Sequence, residues 1–453
     1  MSARVVVVGG GLAGLSAALT LADAGSDVTL LEGRRRLGGL TWSLRRNGLS
    51  FDNGQHVFLR CCTAYRQFID RLGATEAVHL QPRLDIPVLS PRGVRSSISR
   101  AGLPAPLHLG PALARYRHLG PADRLRLARP ALALRRLDPD DPALDTITFG
   151  RWLARHGQSD RAIERLWDLI ALPTLNLPAS EASLALAVKV FRTGLLDRAD
   201  AGDIGWSTVP LSELHGDYAS RALHGAQVET VLGARVQAVV RRDDGGFAVQ
   251  CGERRHAADA VVIATPPEVA QAIVPSGVLP SEFGLGQSPI VNVHLVLDRP
   301  VTDLPLAAVV DSPIQFLFDR TASSGAGSGQ CLSISLSAAD AFIAQSSAQL
   351  IRTFFTALGD LHPTARTARL LDGVVTRERA ATFHGGPGSA ARRPSCHTSV
   401  PGLFLAGAWC ATGWPATMEG AVRSGISAAS ACLEQAAPLP SPGTPRPLEK
   451  VAT

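Results

Sequence analysis

Lysine is almost missing from this 453-residue sequence: Lys189 and Lys450 are the only two among 45 basic residues. That bias fits a GC-rich coding sequence rather than a chemical need. Aromatic residues make up 5%, with tyrosine only at Tyr65, Tyr116 and Tyr218. The arginines therefore have few stacking partners, which argues against a nucleic-acid surface. Seven cysteines, an odd number with no Cys-x-x-Cys spacing, indicate neither a disulfide framework nor a zinc site, and no metal is expected. The adjacent Cys61 and Cys62 read as structural. No apolar run reaches the roughly 18 residues that a bilayer span requires. The run Val5 to Val8 is too short for a secretory leader and breaks directly into glycine, so the expected location is cytoplasmic.

Glycine, by contrast, is plentiful and ordered. Residues 4–14 read Arg-Val-Val-Val-Val-Gly-Gly-Gly-Leu-Ala-Gly, an apolar strand that breaks into a glycine turn and then a helix. Gly9 permits the tight turn, Gly11 lets the backbone approach a pyrophosphate, and Gly14 lets the helix lie close to the strand. Leu12 and Ala13 open that helix, whose free N–H groups face the anion. Gly25 can end it, Val28 to Leu31 reads as the next strand, and Glu32 stands where a carboxylate accepts ribose hydroxyls. This complete βαβ unit is a dinucleotide site. Gly33, Arg34, Arg36, Gly38, Gly39, Leu40 and Thr41 follow, placed to add contacts to ribose, phosphate and ribityl groups.

The two glycine loops together resemble the FAD-binding fingerprint of the flavin amine oxidase and phytoene desaturase superfamily. The resemblance implies an α/β fold: a Rossmann-like FAD-binding domain of the glutathione reductase and amine oxidase type, with an inserted α+β substrate domain. In that superfamily an arginine often stands where this chain has Leu40, and an acid where it has Ala408, which implies thinner cofactor contacts at both places. Leu403 to Gly407 reads as a short strand running into glycine. A helix opening near Thr417 would point its N-terminus at the flavin, with the Met418 N–H group stabilising charge on the reduced ring. Gly420, Ala421 and Gly425 would give that helix a smooth face against the ring. Ala260 to Ala264 reads as a buried strand ended by Pro266 and Pro267, and the resemblance sets Ala264 and Thr265 beside the cofactor. It adds Val236, from the strand at 234–240, to the cofactor residues.

The FAD-binding domain is expected in three pieces, 1–80, 205–266 and 395–435. The substrate domain takes the mainly helical 81–204 and the strand-rich 267–394, and 436–453 reads as a disordered tail. From Arg83 to Arg136, eleven arginines interleave with leucine, proline and alanine against only Asp85 and Asp123. This basic, apolar insert reads either as helices resting on an anionic membrane or as a solvated cap over the substrate cavity.

Two strings narrow the chemistry. Gly54-Gln55-His56-Val-Phe lies within 51–65, and Gly413-Trp414-Pro-Ala-Thr-Met-Glu-Gly-Ala within the flavin helix segment. With Leu172 to Pro178 around Asn176, they resemble the hydroxysqualene dehydroxylases, squalene-associated FAD-dependent desaturases of bacterial hopanoid biosynthesis, over residues 1 to about 435. The resemblance implies reductive removal of the hydroxyl from a C30 isoprenoid alcohol to give squalene, with Gly54, Gln55, His56 and Trp414 near the flavin. That reaction needs a proton donor for the departing hydroxyl, a dry cavity and hydride from reduced flavin. Asp52, His56 and Glu419 are the candidate acids, because the resemblance places their segments near the ring.

At roughly 0.8 kcal/mol per methylene, a C30 chain prefers an apolar phase by about 20 kcal/mol, so loading from the inner membrane face is expected. The electron donor is not identified by the sequence, and prenyl synthases of the same pathway are candidate partners. A phytoene-type carotenoid desaturase and a non-catalytic isoprenoid-binding flavoprotein are the alternatives. An amine oxidase is disfavoured, since that chemistry calls for an aromatic cage and a lysine near the flavin, whereas tyrosines are few and Lys189 is the only internal lysine.

Overall fold

The computed structural model describes residues 2–436. The expected disordered tail therefore lies outside the described residues, apart from Ala436 at the end of the last helix. The glycine-rich start belongs to a five-stranded parallel sheet built from β1 (Arg4–Val8), β2 (Asp27–Glu32), β3 (Glu229–Leu232), β4 (Ala260–Ile263) and β5 (Leu403–Leu405). Its order is β3-β2-β1-β4-β5. Val5 to Val8 and all of β4 are buried, as unbroken β-branched runs must be when both sheet faces are covered. One face, with Val5, Val7, Leu30 and Val262, packs against three helices, α1 (Leu12–Asp23), α2 (Thr63–Arg71) and α3 (Met418–Ala436). The other, with Val6, Val8, Val261 and Ile263, joins a core that extends into the helical part of the chain.

Helices α1 and α3 touch backbone to backbone. A Cβ at Gly425 would lie 2.1 Å from both the Ala13 carbonyl oxygen and Ser16 Oγ, so only glycine fits. Ser16 Oγ also donates to the Val422 carbonyl at 3.0 Å. This corrects the expectation that Gly420, Ala421 and Gly425 present a smooth face to the flavin ring. Gly425 serves the contact with α1, and Gly420 makes room for the Pro415 carbonyl, 2.7 Å from where its Cβ would be.

A seven-stranded sheet carries the second half. Its order runs Leu370–Thr382, Ser288–Leu297, Gln330–Leu336, Phe316–Asp319, Leu306–Val309, Asp85–Leu89, Arg95–Ser99. On the long strand Ser288–Leu297, Val291, Val293, Leu295 and Leu297 pack on Leu350, Phe354 and Leu358 of helix Ser347–Leu361. Asn292 and His294 point the opposite way, toward the Asn53 and Asp52 carbonyls. The hairpin Asp85–Ser99 departs from the mainly helical reading of 81–204. Its strands are short and mostly half-exposed, so no strong alternation marks them. The helices that follow pack Phe149, Trp152, Trp167 and Phe191 with ring centroids 5.1–6.4 Å apart. Among the described residues no helix is long and apolar enough to cross a membrane.

Candidate active site

The two glycine loops meet face to face. Gly9, at φ +110°, sits so close to β4 that a Cβ would be 2.5 Å from the Ala264 carbonyl oxygen, and one on Gly14 would be 1.8 Å from the Gly9 oxygen. The Gly38 N–H donates to the Gly10 carbonyl at 2.9 Å, and a Cβ on Gly39 would approach Gly11 Cα to 2.8 Å. Gly11 differs: a Cβ there meets nothing nearer than Gly39 Cα at 3.7 Å. The protein itself does not require glycine at 11; a molecule lying along that bare backbone would.

Glu32 joins the loops, its carboxylate accepting from the Gly10 N–H at 2.6 Å and the Arg34 N–H at 2.7 Å. Two of its roughly four acceptor positions remain for hydroxyl groups. Arg34 and Arg36 both reach the Gly39 carbonyl, at 3.4 and 3.0 Å, so they brace the second loop, and the Thr41 hydroxyl closes it onto Gly38 at 2.7 Å. Leu40 is exposed. Gly33 packs under Arg235, and the Ala234 N–H donates to the Glu32 carbonyl, which brings the Val236 segment alongside the end of β2.

On the opposite side, the segment Asp52–His56 is clamped to the large sheet. Asn292 Nδ2 and Thr376 Oγ1 both donate to the Asn53 carbonyl, His294 Nε2 donates to the Asp52 carbonyl at 3.0 Å, and Gln55 Nε2 donates to Ser333 Oγ at 2.9 Å. Asp52 is buried and accepts from three donors. One oxygen takes the Ser43 hydroxyl and the Leu211 N–H, and the other pairs with Arg320 at 2.8 Å. These contacts tie Asp52 to Ser43, Leu211 and Arg320, a structural setting that nothing in the local sequence announces.

Glu419 is likewise held by structural partners. It is buried, caps the N-terminus of α2 through the Ala64 and Tyr65 N–H groups at 3.2 and 2.7 Å, and pairs with Arg423 one turn along α3 at 2.7 Å. His56 donates Nδ1–H to the Gly54 carbonyl at 3.0 Å, and burial holds its pKa below the ordinary histidine value. With Nδ1 donating, the neutral ring offers Nε2 as an acceptor beside a small cavity also lined by Asp52, Val57, Trp206, Leu211, Phe318 and Arg320.

At the start of α3, Thr417 caps the first turn through its hydroxyl to Gly420 and its carbonyl to Ala421, leaving the Met418 end open. Gly407, next to β5, would place a Cβ 2.3 Å from Trp409 Nε1, and Trp409 in turn donates to the Thr265 carbonyl at 3.0 Å. The Ala408 carbonyl accepts from Arg393. Trp414 packs on the first turn of α3, with Lys189 and Arg423 both over its ring.

The flavin-containing amine oxidoreductase model matches residues 12–433. The chain belongs to that family. This flavoprotein is 31% identical over 449 residues to a hydroxysqualene dehydroxylase from Rhodopseudomonas palustris, covering 96% of this chain and 99% of the relative. It is 27% identical over 441 residues to a hydroxysqualene dehydroxylase from Sinorhizobium fredii, again covering 96% and 99%. In fold it is similar to cyclohexylamine oxidase from Brevibacterium oxydans, with a TM-score of 0.71 at 20% identity, covering 96% of this chain and all of the other.

The family is an oxidoreductase family, and the cofactor is FAD. The residues present fit it. The uncovered backbone at Gly11 is a cradle that a Cβ would fill, and Thr265 Oγ1, Asn292 Oδ1 and His215 Nδ1 are buried without partners among the described residues. His215 lies under Gly38, its Nε2 fixed by the Tyr65 hydroxyl at 2.9 Å, and burial pushes its pKa down to about 3. It is a neutral group with one ring nitrogen to spare. Sequence reasoning missed His215, Arg320, Asn292 and His294. Only the last two carried a signal: polar residues at 292 and 294 interrupt one face of an otherwise apolar strand.

Proposed function

We propose that this flavoprotein is a hydroxysqualene dehydroxylase, removing the hydroxyl of a C30 allylic alcohol to give squalene. The observation that carries this reading is the match to proteins of that name along essentially the whole of both chains. The residues proposed to hold FAD are Gly9, Gly11, Leu12, Ala13 and Gly14 at the pyrophosphate and Glu32 at the ribose. Gly38, Gly39, Thr41, Val236, Ala264, Thr265, Gly407 and Met418 would lie along the rest. When bound and reduced, FAD supplies hydride. The chain supplies a dry, rigid wall: Asp52 and Glu419 act as positioning groups, and His56 offers an acceptor at Nε2. Product analysis by mass spectrometry tests the reading. Squalene from hydroxysqualene supports it; a substrate that gains double bonds while the flavin is reduced would make the protein a desaturase.

The alcohol is proposed to arrive from a membrane surface. Across residues 121–136, which hold the helices Pro121–Arg126 and Ala128–Leu134, Leu127, Pro130 and Leu134 turn inward, while Leu125 (83% exposed) and Leu132 (50%) face out among Arg126, Arg129, Arg135 and Arg136. The only acid in that stretch, Asp123, is held by Ser159. Apolar tips in a basic field suit an anionic bilayer. Binding to anionic vesicles is expected to weaken with salt. At about 1.5 kcal/mol per leucine, Leu125→Ser with Leu132→Ser should weaken it on the order of 100-fold in a sedimentation assay. Equal binding by wild type and double variant would remove this face from the proposal.

A further inference from the structure

Asp52 and Glu419 are held by structural partners, and the reaction proposed above needs a proton donor. A group with protons to give is Lys189. It is the only lysine among the described residues, in a chain that uses arginine for every other basic position there. The difference is chemical: a guanidinium stays protonated at any working pH, whereas an ammonium can give its proton up. Lys189 sits half-buried on helix Leu184–Phe191, whose other side chains are largely buried, and it pairs with no carboxylate among the described residues. Its Nζ lies instead 5.4 Å from the centre of the Trp414 ring. Arg423, the other cation on that ring, is already neutralised by Glu419. Trp414 rests against the first turn of α3, its Cβ 3.6 Å from where a Gly420 Cβ would be. A cation with no carboxylate partner among the described residues thus lies beside the helix end assigned to the flavin.

We infer that Lys189 is the general acid for departure of the hydroxyl, an inference that rests on the dehydroxylase reading. The C–O bond breaks with its electron pair passing to oxygen, which takes the Nζ proton and leaves as water. Lys189 becomes a neutral amine, and the positive charge passes to the allylic carbons. The new C–H bond is completed by the hydride that reduced FAD would supply when bound, and a proton from solvent restores the Lys189 ammonium. The site holds one positive charge before and after proton transfer, so the Trp414 face that favours the ammonium also favours the allylic cation.

The test compares wild type with Lys189→Arg and Lys189→Met, each purified with FAD, on the alcohol and on its acetate ester, whose leaving group departs as an anion without a proton. Both variants are expected to keep the flavin absorbance spectrum and melting temperature. They should lose about 10²- to 10⁴-fold in turnover of the alcohol while consuming the ester at close to the wild-type rate. Lys189→Arg turning over the alcohol as wild type does, or both variants losing alcohol and ester equally, would overturn the assignment. Wild-type protein inert toward both would overturn the dehydroxylase reading, and the assignment with it.

Discussion

Arg320→Met should destabilise the protein by about 3–5 kcal/mol, the cost of leaving a buried carboxylate without its counterion. Arg320 and Asp52 are 10% and 8% exposed at the side chain, and they bridge two distant parts of the chain. Arg320 also donates to the Ser207 carbonyl at 2.8 Å, so its loss loosens the strand Ile204–Ser207 as well. Adding Asp52→Asn to Arg320→Met removes the stranded charge and should recover most of the loss, which chemical denaturation of both variants would show. The same series tests the role given to Asp52. As a positioning group, Asp52→Asn lowers stability, yet the molecules that stay folded retain FAD and turn over. As an acid, it would abolish turnover in folded, flavin-loaded protein.

Gly11→Ala and Gly14→Ala should fail in opposite ways. A Cβ at 14 would sit 1.8 Å from the Gly9 oxygen, so α1 must move away from β1, costing about 1–3 kcal/mol or more and disrupting the turn. A Cβ at 11 meets only Gly39 Cα at 3.7 Å, and the backbone there, at φ −78°, suits alanine. The Gly11→Ala protein should therefore melt like wild type when stripped of flavin, yet bind FAD about 10- to 100-fold more weakly, because the methyl group fills the space assigned to the cofactor. Melting curves and fluorescence titration with FAD distinguish the two. A Gly11→Ala variant that binds FAD normally would move the pyrophosphate off this loop.

The parts of the fold legible in sequence are those written in adjacent residues. The valine run of β1, the glycine turn and the spacing of Leu15, Ala18 and Leu19 specify strand, turn and helix within some 20 residues, since each rests on backbone conformation or local periodicity. The start of α3 near Thr417 was legible for the same reason. The chemistry of the candidate acids was not. Asp52 meets Arg320 268 positions away, and Glu419 meets α2 354 positions before it. Nothing local distinguishes a carboxylate aimed at solvent or substrate from one that will cap a distant helix. Gly425 teaches the converse: its need for glycine was visible, but the surface that imposes it, α1 rather than a ring, lies more than 400 positions earlier.

The most direct measurement is a single turnover under anaerobic conditions, with the bound FAD chemically reduced, hydroxysqualene added, and flavin absorbance followed while the organic phase is analysed by mass spectrometry. The account predicts one squalene formed for each flavin reoxidised, at the same rate. Flavin that stays reduced in the presence of the alcohol, with no squalene formed, would contradict it.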